Sequence, residues 1–304
     1  MNSDMKGRVC VVTGATSGIG RATAFALARR GATVVAVARD RARGDALVAE
    51  IKADSKSDAV ELLEADLADQ ASVRLAAAEL AKRHPAIDVL INQAGLVMRE
   101  RVLTADGVET VFAVNHLAYF LLTTLLLPQL KAAKAARVIN GTGGIYASGD
   151  IAFDDLTGEK DYRWFPALAQ SKLANVLFTY ELARRLEGTS VTVNCFHPGG
   201  VKTGLGREMG GVVGMLMRVA RIFWITPDEA AAVPVYLASA PELAETTGRY
   251  FDRMKRVEKT GGKSNDRELA RRLWDVSETL VARSASVADR DLPLRGSVES
   301  RDQN

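Results

Sequence analysis

The chain has 304 residues, 47% of them apolar and 25% charged, with a formal net charge of +3. This is an ordinary globular composition, long enough for one large α/β domain over residues 1–284, and it excludes a chain too polar to bury a core. The small net charge, with no basic run interleaved with aromatics, argues against nucleic acid as a partner, and no run reaches the ~18 apolar residues of a spanning segment. The start of the chain lacks a signal-peptide core, and Cys10 and Cys195 fall in apolar strand patterns without metal or disulfide spacing, so the expected location is the reducing cytoplasm.

An apolar strand over 8–12 runs into Thr13-Gly14-Ala15-Thr16-Ser17-Gly18-Ile19-Gly20, where a helix pattern begins. That context makes a phosphate-binding turn. Gly14 takes backbone angles closed to other residues, Gly18 admits a pyrophosphate close to the main chain, and Gly20 lets helix and strand pack closely. The amides from Thr16, Ser17 and Ile19 onward then face the anion. A second parallel strand over 33–38 ends at Arg39, where an arginine favours the 2′-phosphate of NADP(H); the alternative is a solvated loop charge.

A third strand over 60–65 leads to Asp66-Leu67 and a helix over 70–83. Asp66 at the carboxyl edge is placed either to accept from an adenine amino group or to cap that helix. The fourth strand, 87–91, opens into Asn92-Gln93-Ala94-Gly95, whose small residues let the backbone pass close to a cofactor ribose. A long apolar helix over 108–130 carries Asn115, His116 and Tyr119, and a buried Asn there needs a partner. A fifth strand over 138–140 ends loosely at Gly141-Thr142-Gly143-Gly144, followed by an irregular loop over 150–165 and a helix over 166–186. A sixth strand over 191–196 closes at His197-Pro198-Gly199-Gly200, with Val201 and Thr203 just beyond.

The segment 202–225 combines glycines, methionines and an apolar stripe. A substrate lid over a bulky apolar ligand is the favoured reading, against a membrane-surface helix or a helix packed on the core. A helix over 227–239, a short strand at Tyr250-Phe251 and a charged helix over 265–281 follow, and the polar tail 285–304 is expected to be disordered. Alternating strands and helices imply a doubly wound (Rossmann) parallel sheet with helices on both faces.

The assembled motifs resemble the short-chain dehydrogenase/reductase family, in particular its retinol-dehydrogenase-like branch, across residues 6–282. They are the glycine turn, Asp66-Leu67, Asn92 with Ala94-Gly95, Asn115-His116-Leu117, Phe153-Asp154-Asp155-Leu156, Gln170-Ser171-Lys172-Leu173-Ala174-Asn175, His197-Pro198-Gly199 and Arg272-Leu273-Trp274. The resemblance implies NADP(H) held by the turn residues, Arg39, Asp66, Leu67, Asn92, Ala94, Gly95, Lys172, Pro198, Gly199, Val201 and Thr203, a bulky apolar small-molecule substrate and, optionally, a homo-oligomer.

The same comparison exposes departures at the reacting centre. The family's tyrosine, four residues before its lysine, falls on Leu168; its serine falls on Gly143; and Gln93 replaces the second Asn of an Asn-Asn-Ala-Gly turn. Reducing a ketone needs a proton at the developing oxyanion, worth about 10² to 10⁴ in rate when supplied by a positioned acid, and leucine supplies none. Asn115 and Lys172 are retained. Three readings follow: non-redox chemistry such as cyclisation, dehydration or isomerisation; carbonyl reduction with a proton donor moved to Tyr146, Tyr162, Thr142 or a water; or a catalytically silent NADP(H) sensor or scaffold. No metal site is supported.

Overall fold

The computed structural model describes residues 4–201 and 224–288, with side chains to residue 282. Strands β1 (Val9–Thr13), β2 (Thr33–Ala38), β3 (Val60–Glu64), β4 (Val89–Asn92), β5 (Ala136–Gly141), β6 (Val191–Phe196), β7 (Arg249–Phe251) and β8 (Val257–Glu258) form one sheet. Its order is β3-β2-β1-β4-β5-β6-β7-β8, and every pairing is parallel except that of the last two strands. Parallel strands covered on both faces bury both sets of alternating side chains. Accordingly Val11, Val35, Leu90 and Val138 join one core, and Cys10, Val12, Val34, Ile91 and Ile139 join the other. Both cysteines are free, buried thiols, as the strand pattern predicts.

Helices α1 (Gly18–Arg29), α2 (Arg41–Ser55) and, later, Pro227–Ser239 cover the second face. Sequence periodicity passes over α2 because its buried stripe is Gly44, Leu47, Ile51 and Ser55, half of it too small to register as apolar. A Cβ on Gly44 would meet the Leu62 side chain of β3, so helix and strand approach closely there. Helix α3 (Gln70–Arg83) lies on the first face.

The long helix expected over 108–130 is interrupted. It is α-helical at Thr110–Phe112, opens to a π-turn at Ala113–Leu117, and is α-helical again at Ala118–Leu125; we label this composite α4, and Leu127–Ala132 follows as α5. A π-turn inserts one residue and frees a backbone acceptor. Within it the Asn115 carbonyl accepts from the Asn175 side-chain amide at 2.8 Å. Asn175 lies on α6 (Trp164–Arg185), and α7 (Pro227–Ser239) and α8 (Arg267–Ala288) complete the fold. The backbone of α8 continues past Ser284, beyond the helix end read from sequence, and the rest of the polar tail lies outside the described residues. The lid assigned to 202–225 also lies outside them, except for Trp224 and Ile225 at its end.

Candidate active site

The glycine turn has the form its sequence predicts. Gly14 has φ 67° and Gly18 φ 52°, the left-handed region that glycine enters without strain. A Cβ on Gly14 would stand 2.8 Å from Ala94 Cα, and one on Gly20 would overlap the Gly14 carbonyl. The turn is thus pressed against the end of β4 as well as opening toward a ligand. Ser17 is the N-cap of α1, extended at φ −155°, but its side chain makes no capping bond and the first turn holds no acid. The first-turn amides are left for an anion, which fits a dinucleotide pyrophosphate. Thr16 is half-buried and Ser17 exposed, while the Ile19 side chain packs on Val201, Ile225 and Ala230, tying the turn to the segment after β6.

Thr13, to which the sequence reading gives no role, organises this edge. Its Oγ1 accepts from the amides of Gln93 (2.9 Å) and Ala94 (3.1 Å). A β-branched hydroxyl as the last residue of the first strand is the signal that marks it. The Asn92 side chain, fully buried, donates to Thr123 (3.0 Å) and Asn140 (2.9 Å) and braces the sheet, which leaves its backbone for the edge. Ala94 is held by its carbonyl, which accepts from the Tyr119 hydroxyl at 2.6 Å.

On the adenosine side, Arg39 is exposed and has no hydrogen-bond or ion-pair partner among the described residues. Its neighbour Asp40 is used to cap α2 through the Arg43 amide, and Arg41 pairs with Glu64. The capping alternative for Asp66 is corrected. Asp69 caps α3 through the Ala71 amide, whereas Asp66 closes the preceding turn by accepting from Ala68 at 2.9 Å, and Leu67 packs on the first core.

At the centre stands Lys172 of α6. It is half-buried, has no hydrogen-bond or ion-pair partner among the described residues, and desolvation lowers its pKa to about 8. It faces two glycines: Lys172 Nζ lies 3.7 Å from the position of a Cβ on Gly95, and Lys172 Cγ lies 3.7 Å from that on Gly143. Asn115 lies beside it. Asn115 Oδ1 accepts from the Leu96 amide at 2.8 Å, and its Nδ2 donates to the Leu96 carbonyl and to Ser171 Oγ at 3.0 and 3.1 Å. Leu168 precedes Lys172 by one turn on the same helix face and is 7% exposed.

The three hydroxyls considered as relocated proton donors are committed elsewhere. Thr142 Oγ1 donates to the Phe196 carbonyl at 3.1 Å and locks β5 to β6. Tyr146 is buried in the first core, its ring 5.1 Å from that of Tyr250 and its hydroxyl hydrogen-bonded to the Gly261 backbone. Tyr162 donates to the Met98 carbonyl at 2.9 Å, and burial raises its pKa to about 12, further from a useful acid. Gln93 has a physical partner in Gly141, because a Cβ there would overlap its Oε1; the longer amide and the missing side chain go together. Pro198 and Gly199 follow β6, Gly199 at φ 79° against Arg253, and Thr203 lies outside the described residues.

A dinucleotide turn at the carboxyl edge of a doubly wound sheet, beside an Asn and a Lys from two helices, defines a nicotinamide-dependent dehydrogenase type of site. A family model described as short chain dehydrogenase matches residues 8–210, and the chain belongs to the short-chain dehydrogenase/reductase family, in its retinol-dehydrogenase-like branch. It is 43% identical to retinol dehydrogenase 14 of Homo sapiens, with 91% of this chain and 87% of that one covered. An uncharacterized protein from Mycobacterium Paratuberculosis superposes with a TM-score of 0.73 at 33% identity, covering 91% of this chain and 94% of that one. A structure described as an NAD(P) dependent gluconate 5-dehydrogenase from Beutenbergia cavernae, with bound NADP, gives 0.67 at 30% identity over 82% and 96%. Family and relatives support an oxidoreductase, and among the described residues no helix is long and apolar enough to cross a membrane.

Proposed function

We propose that this chain binds NADP(H) and a bulky apolar substrate in a site that works without the family's hydroxyl proton relay, and that its turnover is non-redox: dehydration, isomerisation or cyclisation. The observation that carries the reading is the surround of Lys172, with Leu168 a turn before it, Gly143 against its stem and, among the described residues, no side-chain hydroxyl in place of either lost group. The open first turn of α1, unpaired Arg39 and unpaired Lys172 support retention of the cofactor. NADP(H), when bound, can supply or accept hydride. Lys172 holds a ribose hydroxyl or a substrate oxygen, Asn115 fixes the loop at Leu96, and Leu168 excludes water from the substrate side.

The names of the relatives favour a second reading, slow NADPH-dependent carbonyl reduction with water as the proton source. Product analysis by mass spectrometry with bulky ketones and allylic alcohols, run beside absorbance of NADPH, separates the two. New product at constant absorbance supports the non-redox reading, and stoichiometric NADPH loss overturns it. For the cofactor itself, Arg39→Ala should weaken NADPH by about tenfold or more in calorimetry while sparing NADH, because a charge-assisted phosphate contact is worth about 1.5–3 kcal/mol. Equal weakening of both cofactors would remove Arg39 from phosphate recognition.

A further inference from the structure

The span 249–263 carries six lysines and arginines against two acids, a net +4, so the rest of a chain of net +3 sums to −1. The β7–β8 hairpin and the few residues after it are thus one of the chain's concentrations of positive charge. Lys255, Arg253 and Lys259 are exposed and make no ion pair among the described residues; Lys255 Nζ only overlies the Tyr236 ring at 5.4 Å. Met254 and Val257, between them, are 61% and 55% exposed, where most large apolar side chains of the molecule are buried.

This tip is built. Asp252, itself buried, accepts through Oδ1 from the amides of Met254 (2.8 Å) and Arg256 (2.9 Å), and through Oδ2 from the Arg256 guanidinium at 2.9 and 2.7 Å. The turn is thus fixed from inside, with Arg253, Met254 and Lys255 turned outward. Lys255 has φ 63°, a left-handed conformation that costs a lysine free energy and that the Asp252 clamp maintains. Because β7 runs parallel to β6, the turn sits at the carboxyl edge of the sheet, and Arg253 Cδ lies 3.2 Å from the position of a Cβ on Gly199. The patch therefore adjoins the mouth of the candidate site.

We propose that the β7–β8 hairpin tip is a peripheral docking surface for an anionic lipid bilayer, with Met254 and Val257 entering the headgroup region and Lys255, Arg253 and Lys259 contacting lipid phosphates and carboxylates. Unpaired cations around exposed apolar side chains match a surface with both negative charge and an apolar layer beneath, which an acidic protein does not offer. The orientation sets the site mouth toward the membrane, the source of a bulky apolar substrate; that last consequence rests on the function proposed above, whereas the docking does not.

The test is co-sedimentation of the full chain with phosphatidylcholine vesicles and with vesicles that also contain phosphatidylserine. Wild type should bind the anionic vesicles and be released by salt. Lys255→Asn with Lys259→Gln should lower the partition coefficient on the order of twentyfold, from about fivefold per cation at the surface, and Met254→Ser with Val257→Ser should also weaken binding. Asparagine is chosen because it tolerates the left-handed backbone. Melting curves and NADPH calorimetry on the same variants, both unchanged, separate loss of docking from loss of fold or of cofactor binding. Equal wild-type binding to both vesicle types, variants that bind as wild type does, or retention on a soluble polyanion with no vesicle binding would overturn the proposal.

Discussion

Leu168 and Lys172 stand one helical turn apart, and this pair sets the chemistry available to the site. Burying a leucine there gains about 1.5–3 kcal/mol of apolar contact where a phenol would otherwise be held against an ammonium. Gly143 is extended at φ −163°, a conformation open to any residue, and among the described residues its Cβ position meets only Ile145 and Lys172 at ordinary contact distance, 3.7 Å each. A serine therefore fits at 143 without moving the chain. We predict that Leu168→Tyr with Gly143→Ser raises ketone reduction about 10- to 100-fold over wild type. The ceiling is the 10² to 10⁴ of a positioned acid, lowered because misplacement by about 1 Å can cost about 10². The gain should vanish when Lys172→Met is added, with NADPH oxidation as the readout. No gain at unchanged cofactor affinity would mean that the relay is not what the site lacks.

Between the elements, the site is held by side chains that stitch strand ends to helices. Thr13 joins β1 to the end of β4, Tyr119 joins α4 to Ala94, and Asn175 joins α6 to the π-turn of α4. Thr13→Val keeps the shape and removes the acceptor of two amides, so it should cost about 2 kcal/mol of stability in urea unfolding and weaken cofactor binding, whereas Thr13→Ser should restore both. Unchanged binding in the valine variant would show that the end of β4 is positioned by its ladder alone. Strands β1, β2 and β4 were legible in sequence because each carries a near-continuous apolar run, and the glycine turn because its constraints are local. The π-turn was not, since the amide that meets it comes from Asn175 on another helix, and β8 was not, since both of its residues are exposed. The same distinction governs the proton donors. Thr142 and Tyr162 are spent on the carbonyls of Phe196 and Met98, which no side-chain pattern announces, and Tyr146 on the Gly261 backbone, far along the chain.

At the scale of the whole molecule, His116 joins parts of the chain that the sheet does not connect. It is fully buried on the π-turn of α4, with Nδ1 3.3 Å from Asn175 Oδ1 on α6 and Nε2 3.0 Å from Ser277 Oγ on α8. Asn175 spends its Nδ2 on the Asn115 carbonyl, so its Oδ1 accepts and Nδ1 carries the proton, while the Ser277 hydroxyl that faces Nε2 also donates to the Leu273 carbonyl at 2.7 Å. Around the ring lie Phe112 and Phe178. Burial accordingly lowers its pKa from 6.5 to about 4, with the Asn175 bond a smaller, opposing effect. Between those values the unfolded chain binds a proton that the folded chain refuses, so stability falls as pH falls through 6.5 toward 4, by at most about 3 kcal/mol. The carboxylates held low by their partners, Asp54, Asp155, Asp252 and Glu181, lose their contribution only below their ordinary values of 3.8 and 4.5, outside most of that window. Glu109, raised by burial, works in the opposite direction and is common to wild type and any His116 variant. Urea unfolding midpoints measured across this window should therefore fall for wild type and fall less for His116→Gln, which keeps a donor and an acceptor without a titrating ring. Parallel slopes for the two proteins would assign the acid sensitivity to other groups and leave His116 as packing alone.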